Sequence, residues 1–438
     1  FLFRKEKEML DIKYVVENKE KVKENIKKKF QDKKLPLVDE VVELYSKVKE
    51  NKIKRDELGS KRNTLSTQIG SLMREKNIDE ANKIKDEVKN INDELKTIDE
   101  TLETLNAEVK KRMMVIPNII DGTVPIGEDD SHNVEIEKYG EPVVPDYEIP
   151  YHANILESFN GLDKDSAGRT SGNGFYYLMG DAARLSSAML SYARDFMIDK
   201  GFTYCIPPFM IRSDVVTGVM SFDEMDAMMY KIEGEDLYLI GTSEHSMIGK
   251  FQNQIIKEDS LPITMTSYSP CFRKEVGAHG IEERGIYRVH QFEKQEMVVL
   301  CKKEEGMDWY NKMWQYTVEL FRSLDIPVRT LECCSGDLAD LKVKSCDVEA
   351  WSPRQKTYFE VGSCSILGDA QARRLGIRMK TNNGNEYVTT LNNTVLASTR
   401  ALIALIENNY QNIIKNTDIS SAELPIFNSL NCDYVITI

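Results

Sequence analysis

Two runs of apolar residues, spaced alternately three and four positions apart, limit what the first quarter of this chain can be. The first run is Leu37, Val41, Leu44, Val48, Leu58, Leu65, Ile69 and Leu72, with Asn51, Arg55 and Arg62 in the slots it skips. The second is unbroken: Ala81, Ile84, Val88, Ile91, Leu95, Ile98, Leu102, Leu105 and Val109. A three-four repeat puts one side chain per turn on the same stripe of an α-helix, and so narrow a stripe is buried against a second helix. Lys76, Asn77, Ile78 and Asp79 lie between the runs and read as the end of one helix and the cap of the next. The pattern predicts an antiparallel two-helix coiled coil over 37–112. Each arm of roughly 36 residues would reach on the order of 50 Å at 1.5 Å per residue. Periodicity alone assigns such an arm to dimerisation or spacing more readily than to RNA binding.

Charge divides the chain in the same region. The 438 residues carry a net charge of −13, yet residues 1–117 hold 28 Lys and Arg against 24 Asp and Glu, which leaves −17 for the remainder. An acidic chain is as a whole a poor partner for nucleic acid, so any such contact belongs to the N-terminal part. A solvated helix face explains its small basic excess equally well. The chain is long enough for two domains. No apolar run approaches the roughly 20 residues of a membrane helix. Charges also interrupt residues 1–10 before a secretory stretch can form. Eight cysteines without a CxxC pair, two of them adjacent at Cys333 and Cys334, suggest reduced thiols of a cytoplasmic protein and no structural zinc.

Past Pro117 the pattern changes. Pro117 and Asn118, followed by Gly122, Pro125 and Gly127, read as a hinge between an N-terminal helical domain over 1–117 and a second domain over 118–438. In the second part short β-like runs (204–206, 237–240, 263–268, 297–300, 358–361 and 387–391) alternate with helical stretches (182–200, 306–324 and 395–408). Many separate strands mixed with helices, without a βαβ rhythm, predict an α+β domain on an antiparallel sheet. Walker and dinucleotide fingerprints are both absent from the sequence, so a nucleotide site would be of another kind.

Residues 271–296 narrow that kind. They predict two strands of alternating side chains joined by a polar loop that contains glycine. Arg273 and Glu275, two apart, would share one face, and so would Arg288, His290, Phe292, Lys294 and Glu296. So many charges around one aromatic ring make a poor core and suit a charged, planar ligand. ATP fits, because guanidinium groups fork onto phosphate oxygens and a ring stacks on adenine.

The pattern Phe-Arg-x-Glu, loop, Arg-x-His-Gln-Phe-x-Lys-x-Glu resembles motif 2 of the class II aminoacyl-tRNA synthetases, and within that class of the seryl-tRNA synthetases. Four more segments resemble the family, in the family's order. Gly-Phe-Thr-Tyr-Cys-Ile-Pro-Pro-Phe-Met-Ile-Arg at 201–212 is similar to motif 1, and Pro207 and Pro208 place it at a sheet edge or an interface. Leu-Tyr-Leu-Ile-Gly-Thr-Ser-Glu at 237–244 is similar to the serine-binding loop. Phe-Glu-Val-Gly-Ser-Cys-Ser at 359–365, with Gln371-Ala372-Arg373-Arg374 after it, is similar to the strand that holds ATP and its magnesium. Thr-Thr-Leu-Asn-Asn-Thr-Val-Leu-Ala-Ser-Thr-Arg-Ala-Leu at 389–402 is similar to motif 3, with Thr399 where the family often has Gly.

The resemblance implies a class II synthetase catalytic domain on an antiparallel sheet, preceded by a coiled-coil arm that grips tRNA(Ser), and a homodimer formed through motif 1. It implies ATP-dependent formation of seryl-adenylate from L-serine, then transfer to the terminal ribose of the tRNA, and the same for selenocysteine tRNA where present. By the same likeness Arg273, Lys274, Glu275, Val289, Phe292, Glu360, Val361, Gly362, Ser363 and Arg400 would bind ATP. Arg273 would hold the α-phosphate and Arg400 the γ-phosphate, with Glu360 and Ser363 on Mg2+ and Phe292 on the adenine. Glu275 would approach the adenine amino group, and the backbone near Val289 its edge. Thr242, Ser243, Glu244, Arg273, Glu296, Asn392 and Thr394 would bind serine, Glu244 taking the ammonium and Glu296 and Thr394 the hydroxyl. Arg273, Arg400 and Glu360 would carry the catalysis. A carboxylate and a hydroxyl do suit a hard, oxygen-seeking cation. Lys47, Lys54, Arg55, Lys61, Arg62 and Arg74 are the candidate phosphate contacts on the arm.

Two other readings have their own marks. A non-catalytic tRNA-binding paralogue would lose the motif arginines, and Arg273, Arg288 and Arg400 are present. A ligase that charges a carrier protein would lack the long hairpin. The likeness departs at the ends: residues 1–8 precede the family's usual beginning at Met9-Leu10-Asp11, and the landmarks expected after Gln411 are missing.

Overall fold

The computed structural model describes residues 10–275, 285–382 and 384–411. The expectations for residues 1–8, for the loop 276–284 and for the tail beyond 411 lie outside the described residues. The chain divides into two compact units. One takes in Leu10–Lys27 and Gln31–Pro117, the other Lys28–Phe30 and the chain from Asn118 onward.

The first unit is built on two long antiparallel helices, α1 (Leu35–Arg74) and α2 (Ile78–Met113). Proline in the first turn of α1 costs no hydrogen bond, because those N–H groups have no partner inside the helix. The helix stops where Lys76 enters the left-handed region at φ 61°, and the Asn77 side chain then accepts the Glu80 N–H to start α2. Val41 and Val48 of α1 and Ala81, Ile91, Leu95, Ile98, Leu102 and Val109 of α2 form the buried seam. Asn51, Arg55 and Arg62 are half-buried where the repeat skips. Ion pairs bridge the helices beside the seam: Lys54 to Glu94 at 2.6 Å, Lys61 to Glu87 at 2.8 Å and Arg112 to Glu40 at 2.5 Å. Two short helices, Ile12–Glu17 and Lys19–Lys28, precede the hairpin.

The second unit is organised by an eight-stranded sheet. In chain order its strands are β1 (Val134–Tyr139), β2 (Thr203–Tyr204), β3 (Ile263–Phe272), β4 (Gln291–Cys301), β5 (Val328–Glu332), β6 (Lys344–Ser352), β7 (Thr357–Gly368) and β8 (Thr389–Ala397). The spatial order is β1-β5-β6-β7-β8-β4-β3-β2, antiparallel throughout except for β2 beside β3. One face packs on three helices, α3 (Gly180–Asp199), α5 (Gly306–Ser323) and α7 (Ser398–Asn408). Met297, Val299, Leu391 and Ile366 meet Met189, Phe321 and Leu402 there. The opposite face is covered at one end by two short helices, α4 (Ser243–Gly249) and α6 (Ala370–Leu375), over Val298 and Leu300. The rest of that face is left to polar side chains.

Several boundaries differ from expectation. β3 ends at Phe272 and β4 begins at Gln291, so Arg273, Glu275, Arg288 and His290 lie outside the strands. Glu275 even turns to φ 47°. Ile286 and Val289 are buried in the core without joining the ladder, which therefore opens before them. The helix expected from 395 starts at Ser398, because Val395–Ala397 complete the ladder of β8 with β4. β2 is at the sheet edge as expected, but it stops at Tyr204, before Pro207 and Pro208. β1, β5 and β6 fall outside the strand runs expected from the sequence.

Candidate active site

Strand register decides which side chains meet. Phe292, Lys294 and Glu296 alternate onto one face of β4. Glu296 pairs across with Thr394 of β8, and Val298 with Asn392, so Asn392 and Thr394 share that face. Asn392 pairs in turn with Ser365 of β7, and Ser363 with Asp347 of β6. Glu360 and Ser363 are three apart, and a regular strand would turn them to opposite faces. A register shift between Val348 and Glu349 pairs Glu360 with Glu349 and skips one residue of β7, which returns both to the same side.

A cavity of about 220 Å³ opens on this face. Arg273, Glu275, Tyr287, Arg288, Val289 and Phe292 line one side, and Lys294, Glu360, Val361, Gly362, Thr394 and Arg400 line most of the other. The Arg273 guanidinium lies over the Phe292 ring, 5.2 Å from its centre, while its Nε donates to the Gly241 carbonyl at 3.2 Å. His290, which sequence aligned with this face, instead has Nδ1 3.0 Å from the Arg273 carbonyl and its ring against Phe175. Arg400 stands in the first turn of α7, its guanidinium over the Tyr287 ring at 4.6 Å and 2.8 Å from the Glu360 carboxylate. Burial pushes the Glu360 carboxyl up, but the Arg400 charge outweighs it and holds the group below the usual carboxylate range. These walls offer three guanidinium groups, an ammonium group, two carboxylates and two aromatic rings, the chemistry of a nucleoside polyphosphate site.

A recess adjoins the cavity. Thr242 caps α4 by accepting the Glu244 N–H at 3.4 Å and donates its own hydroxyl to Glu296 Oε2 at 3.2 Å. Glu296 is also ion-paired with Lys294. Glu244 accepts from the Gln371 amide at 2.8 Å, and Gln371 accepts from the Thr390 hydroxyl at 2.7 Å. Burial first, and then the Glu296 charge, push the Glu244 carboxyl up to about 7. Next to it His245 is buried and pushed down to about 3 by desolvation, with Lys294 and Arg273 adding to the effect. Among the described residues its Nδ1 has no hydrogen-bond partner.

Three of the expected residues stand apart. Lys274 turns away, its ammonium donating to the Asp226 carbonyl at 3.4 Å. Ser243 is fully buried, and among the described residues its hydroxyl meets no partner. Ser363 is off the cavity wall, with its hydroxyl 3.3 Å from that of Ser345. Sequence reasoning gave no individual role to Lys294, Thr390, Asp347 or Tyr287, and it placed Gln371 with the ATP strand rather than against Glu244. Lys294 had a signal, since it shares the two-residue period of Phe292 and Glu296. Thr390, Asp347 and Tyr287 are brought in by tertiary pairing, which leaves no local mark.

The family implies a magnesium ion, and the donor set fits one. Glu360, Ser363 and Asp347 present hard oxygens on one sheet face. Burial and the Glu360 charge push the Asp347 carboxyl up to about 7. Among the described residues, Cys333, Asp337 and Asp347 are the one group of metal-ligand types whose ligand atoms lie within 4.8 Å of one another. Burial pushes the Cys333 thiol up.

Residues 229–409 match the family model for the tRNA synthetase class II core domain (G, H, P, S and T), and residues 9–120 match that for the seryl-tRNA synthetase N-terminal domain. A prolyl-tRNA synthetase from Giardia lamblia shares the fold at a TM-score of 0.51 and 14% identity, over 58% of this chain and 52% of that one. The second unit is thus a class II aminoacyl-tRNA synthetase core. Over longer spans the likeness is narrower. The serine--tRNA ligase of Methanocella arvoryzae is 40% identical over 68% of this chain and 71% of its own, and that of Nitrosopumilus maritimus 39% over 69% and 73%. The crystal structure of seryl-tRNA synthetase from Pyrococcus horikoshii complexed with ATP matches at a TM-score of 0.86 and 35% identity, over 91% of this chain and 94% of that one. The chain belongs to the seryl-tRNA synthetase family.

Proposed function

We propose that this chain is an ATP-dependent serine--tRNA ligase. The observation that carries the reading is the adjacency on one sheet face of a cavity walled by Arg273, Phe292, Glu360 and Arg400 and a recess holding Glu244 and Glu296. ATP occupies the first and L-serine the second. In the first step a serine carboxylate oxygen attacks the α-phosphorus, a phosphorus–oxygen bond to the β-phosphate breaks, and pyrophosphate leaves. The attacking group is already an anion, so alignment and charge stabilisation matter more than a base. Arg273 spans both reactants, its guanidinium over Phe292 while its Nε is tied to the strand end before Thr242. It stabilises charge on the α-phosphate. Arg400 holds the far phosphates, where its pairing with Glu360 keeps it charged and aimed. A magnesium ion on Glu360 and Ser363, with Asp347 behind them, would neutralise phosphate charge. In the second step a terminal ribose hydroxyl of the tRNA attacks the acyl carbon and AMP leaves.

The arm supplies the tRNA contact. Lys54 and Lys61 are tied to glutamates across the hairpin, which fixes their positions along its surface. Phosphate binding by such side chains is salt-sensitive. A second copy of the chain is the partner at β2, the sheet edge, near which Ile206 is 70% exposed and Met210 47%. Among the described residues no helix is long and apolar enough to cross a membrane. The described cysteines are free, as in a cytoplasmic protein.

The test is serine-dependent exchange of pyrophosphate into ATP by the full chain. We expect exchange with L-serine, and a folded preparation that shows none would overturn the reading. A non-catalytic paralogue is disfavoured because Arg273, Glu360 and Arg400 converge on one cavity.

A further inference from the structure

The recess holds two carboxylates and one ammonium group, and they are not paired alike. Glu296, its side chain 2% exposed, is ion-paired with Lys294, itself 7% exposed. The Thr242 hydroxyl donates to the same oxygen, Oε2, and Oε1 takes no hydrogen bond from the described residues. Glu244 has a neutral partner instead, the Gln371 amide at 2.8 Å. That amide cannot turn over, because its Nε2 also donates to the Val219 carbonyl at 3.2 Å while the Thr390 hydroxyl donates to its oxygen at 2.7 Å. One carboxylate is therefore balanced by a fixed cation, and the other is held in place without being neutralised.

We propose that Lys294 is a specificity-determining positioning residue that divides the two carboxylates between the two polar ends of serine, keeping Glu296 for the hydroxyl and leaving Glu244 for the ammonium. The inference rests on the serine-activating reading above. An ammonium ligand at Glu296 would meet the like charge of Lys294 in direct contact, whereas the direct partner at Glu244 is a neutral amide and the lysines Lys294 and Lys342 act on it only at longer range. A hydroxyl is a dipole and cannot neutralise a buried carboxylate, so it needs an acceptor whose charge is already balanced. With both carboxylates ionised and Lys294 charged the recess carries one surplus negative charge, which the serine ammonium cancels. The upward push on Glu244 agrees with a carboxylate still waiting for its cation. Alanine, which lacks the hydroxyl, leaves Oε1 of a charged Glu296 unsatisfied and is penalised for it.

Lys294 also lines the nucleotide cavity and stands 3.5 Å from the Thr394 hydroxyl, so service to a phosphate is the competing role. Pyrophosphate exchange by the full-length chain with serine and with alanine separates the two. For Lys294→Met we expect the KM for serine to rise about tenfold or more, the KM for ATP to stay within about twofold, and the serine-over-alanine ratio of kcat/KM to shrink by about tenfold. Lys294→Arg should recover most of that ratio. If Lys294→Met does not fold, Lys294→Gln makes the same measurement with a donor retained. A rise in the KM for ATP with an unchanged serine-over-alanine ratio would assign Lys294 to the phosphates and overturn the proposal. So would a fall in kcat alone, the mark of a structural role. Absence of exchange in the unaltered chain is a different failure, of the serine-activating reading itself.

Discussion

Glu244 is buried against Gln371, with Glu296 the nearest like charge and Lys294 and Lys342 the cations that reach it. Its carboxyl, pushed up to about 7, is neutral in acid and ionised above neutrality. Only the ionised form attracts an ammonium group, so the sign follows directly: kcat/KM for serine should fall as pH drops below about 7, toward tenfold per unit. Bound serine adds a cation that favours the carboxylate, so the corresponding limb in kcat should lie at lower pH. Exchange rates measured across that range for the unaltered chain and for Glu244→Gln check both points. The variant should have a lower kcat/KM and no limb, and a limb that survives it would assign the titration elsewhere. A single residue thus carries information the sequence could not hold: Thr-x-Glu marks a carboxylate, but its burial depends on α6 and on Gln371, more than a hundred residues away.

At the scale of the element, legibility followed the range of the interactions. The hairpin α1–α2 could be read from residues 37–109 because a helix buries its stripe at a period set by its own backbone. β5 and β6 could not: β5 is five residues long with Arg329 and Glu332 in it, and Asp347 and Glu349 interrupt β6, so neither offers an apolar run. The register shift in β7 was invisible for another reason. A bulge is defined by what lies opposite, and Glu360 and Ser363 come to one face only because β6 pairs as it does. Gly362 sits at this irregularity, where an added Cβ would lie 3.0 Å from the Thr394 carbonyl oxygen and 3.2 Å from Thr317 Cγ2. A strand carbonyl cannot swing aside as a flexible side chain would, so Gly362→Ala should shift β8 against β7 by a few tenths of an ångström. We expect a stability loss of about 1 to 3 kcal/mol in chemical denaturation. The KM for ATP and serine should rise together, since Thr394 and Glu360 flank both reactants. An alanine variant as stable and active as the parent would show that the strands do not need this close approach.

At the scale of the whole molecule, the two units divide the work between a site for small substrates and an arm without a comparable cavity chemistry. Everything that binds ATP and serine in our reading lies beyond Asn118, on the sheet or on the short helices above it. The arm carries its own seam and its own ion pairs, and its two helices run antiparallel with Arg112 of one bonded to Glu40 of the other at 2.5 Å. The chain therefore leaves and returns at nearly the same place. Excising 38–109 removes both halves of most of the seam together, so no long apolar stripe is left exposed. Serine activation should survive the excision, with pyrophosphate exchange within about twofold of the parent because no contact to either small substrate is lost. Transfer of serine to tRNA should be abolished, because phosphate contacts supply most of the affinity for a nucleic acid and the catalytic unit, at strongly negative charge, cannot replace them. Exchange and aminoacylation measured on the same preparation separate the two steps. Loss of both would mean that the arm supports the catalytic unit, and retention of both would mean that the tRNA is gripped elsewhere.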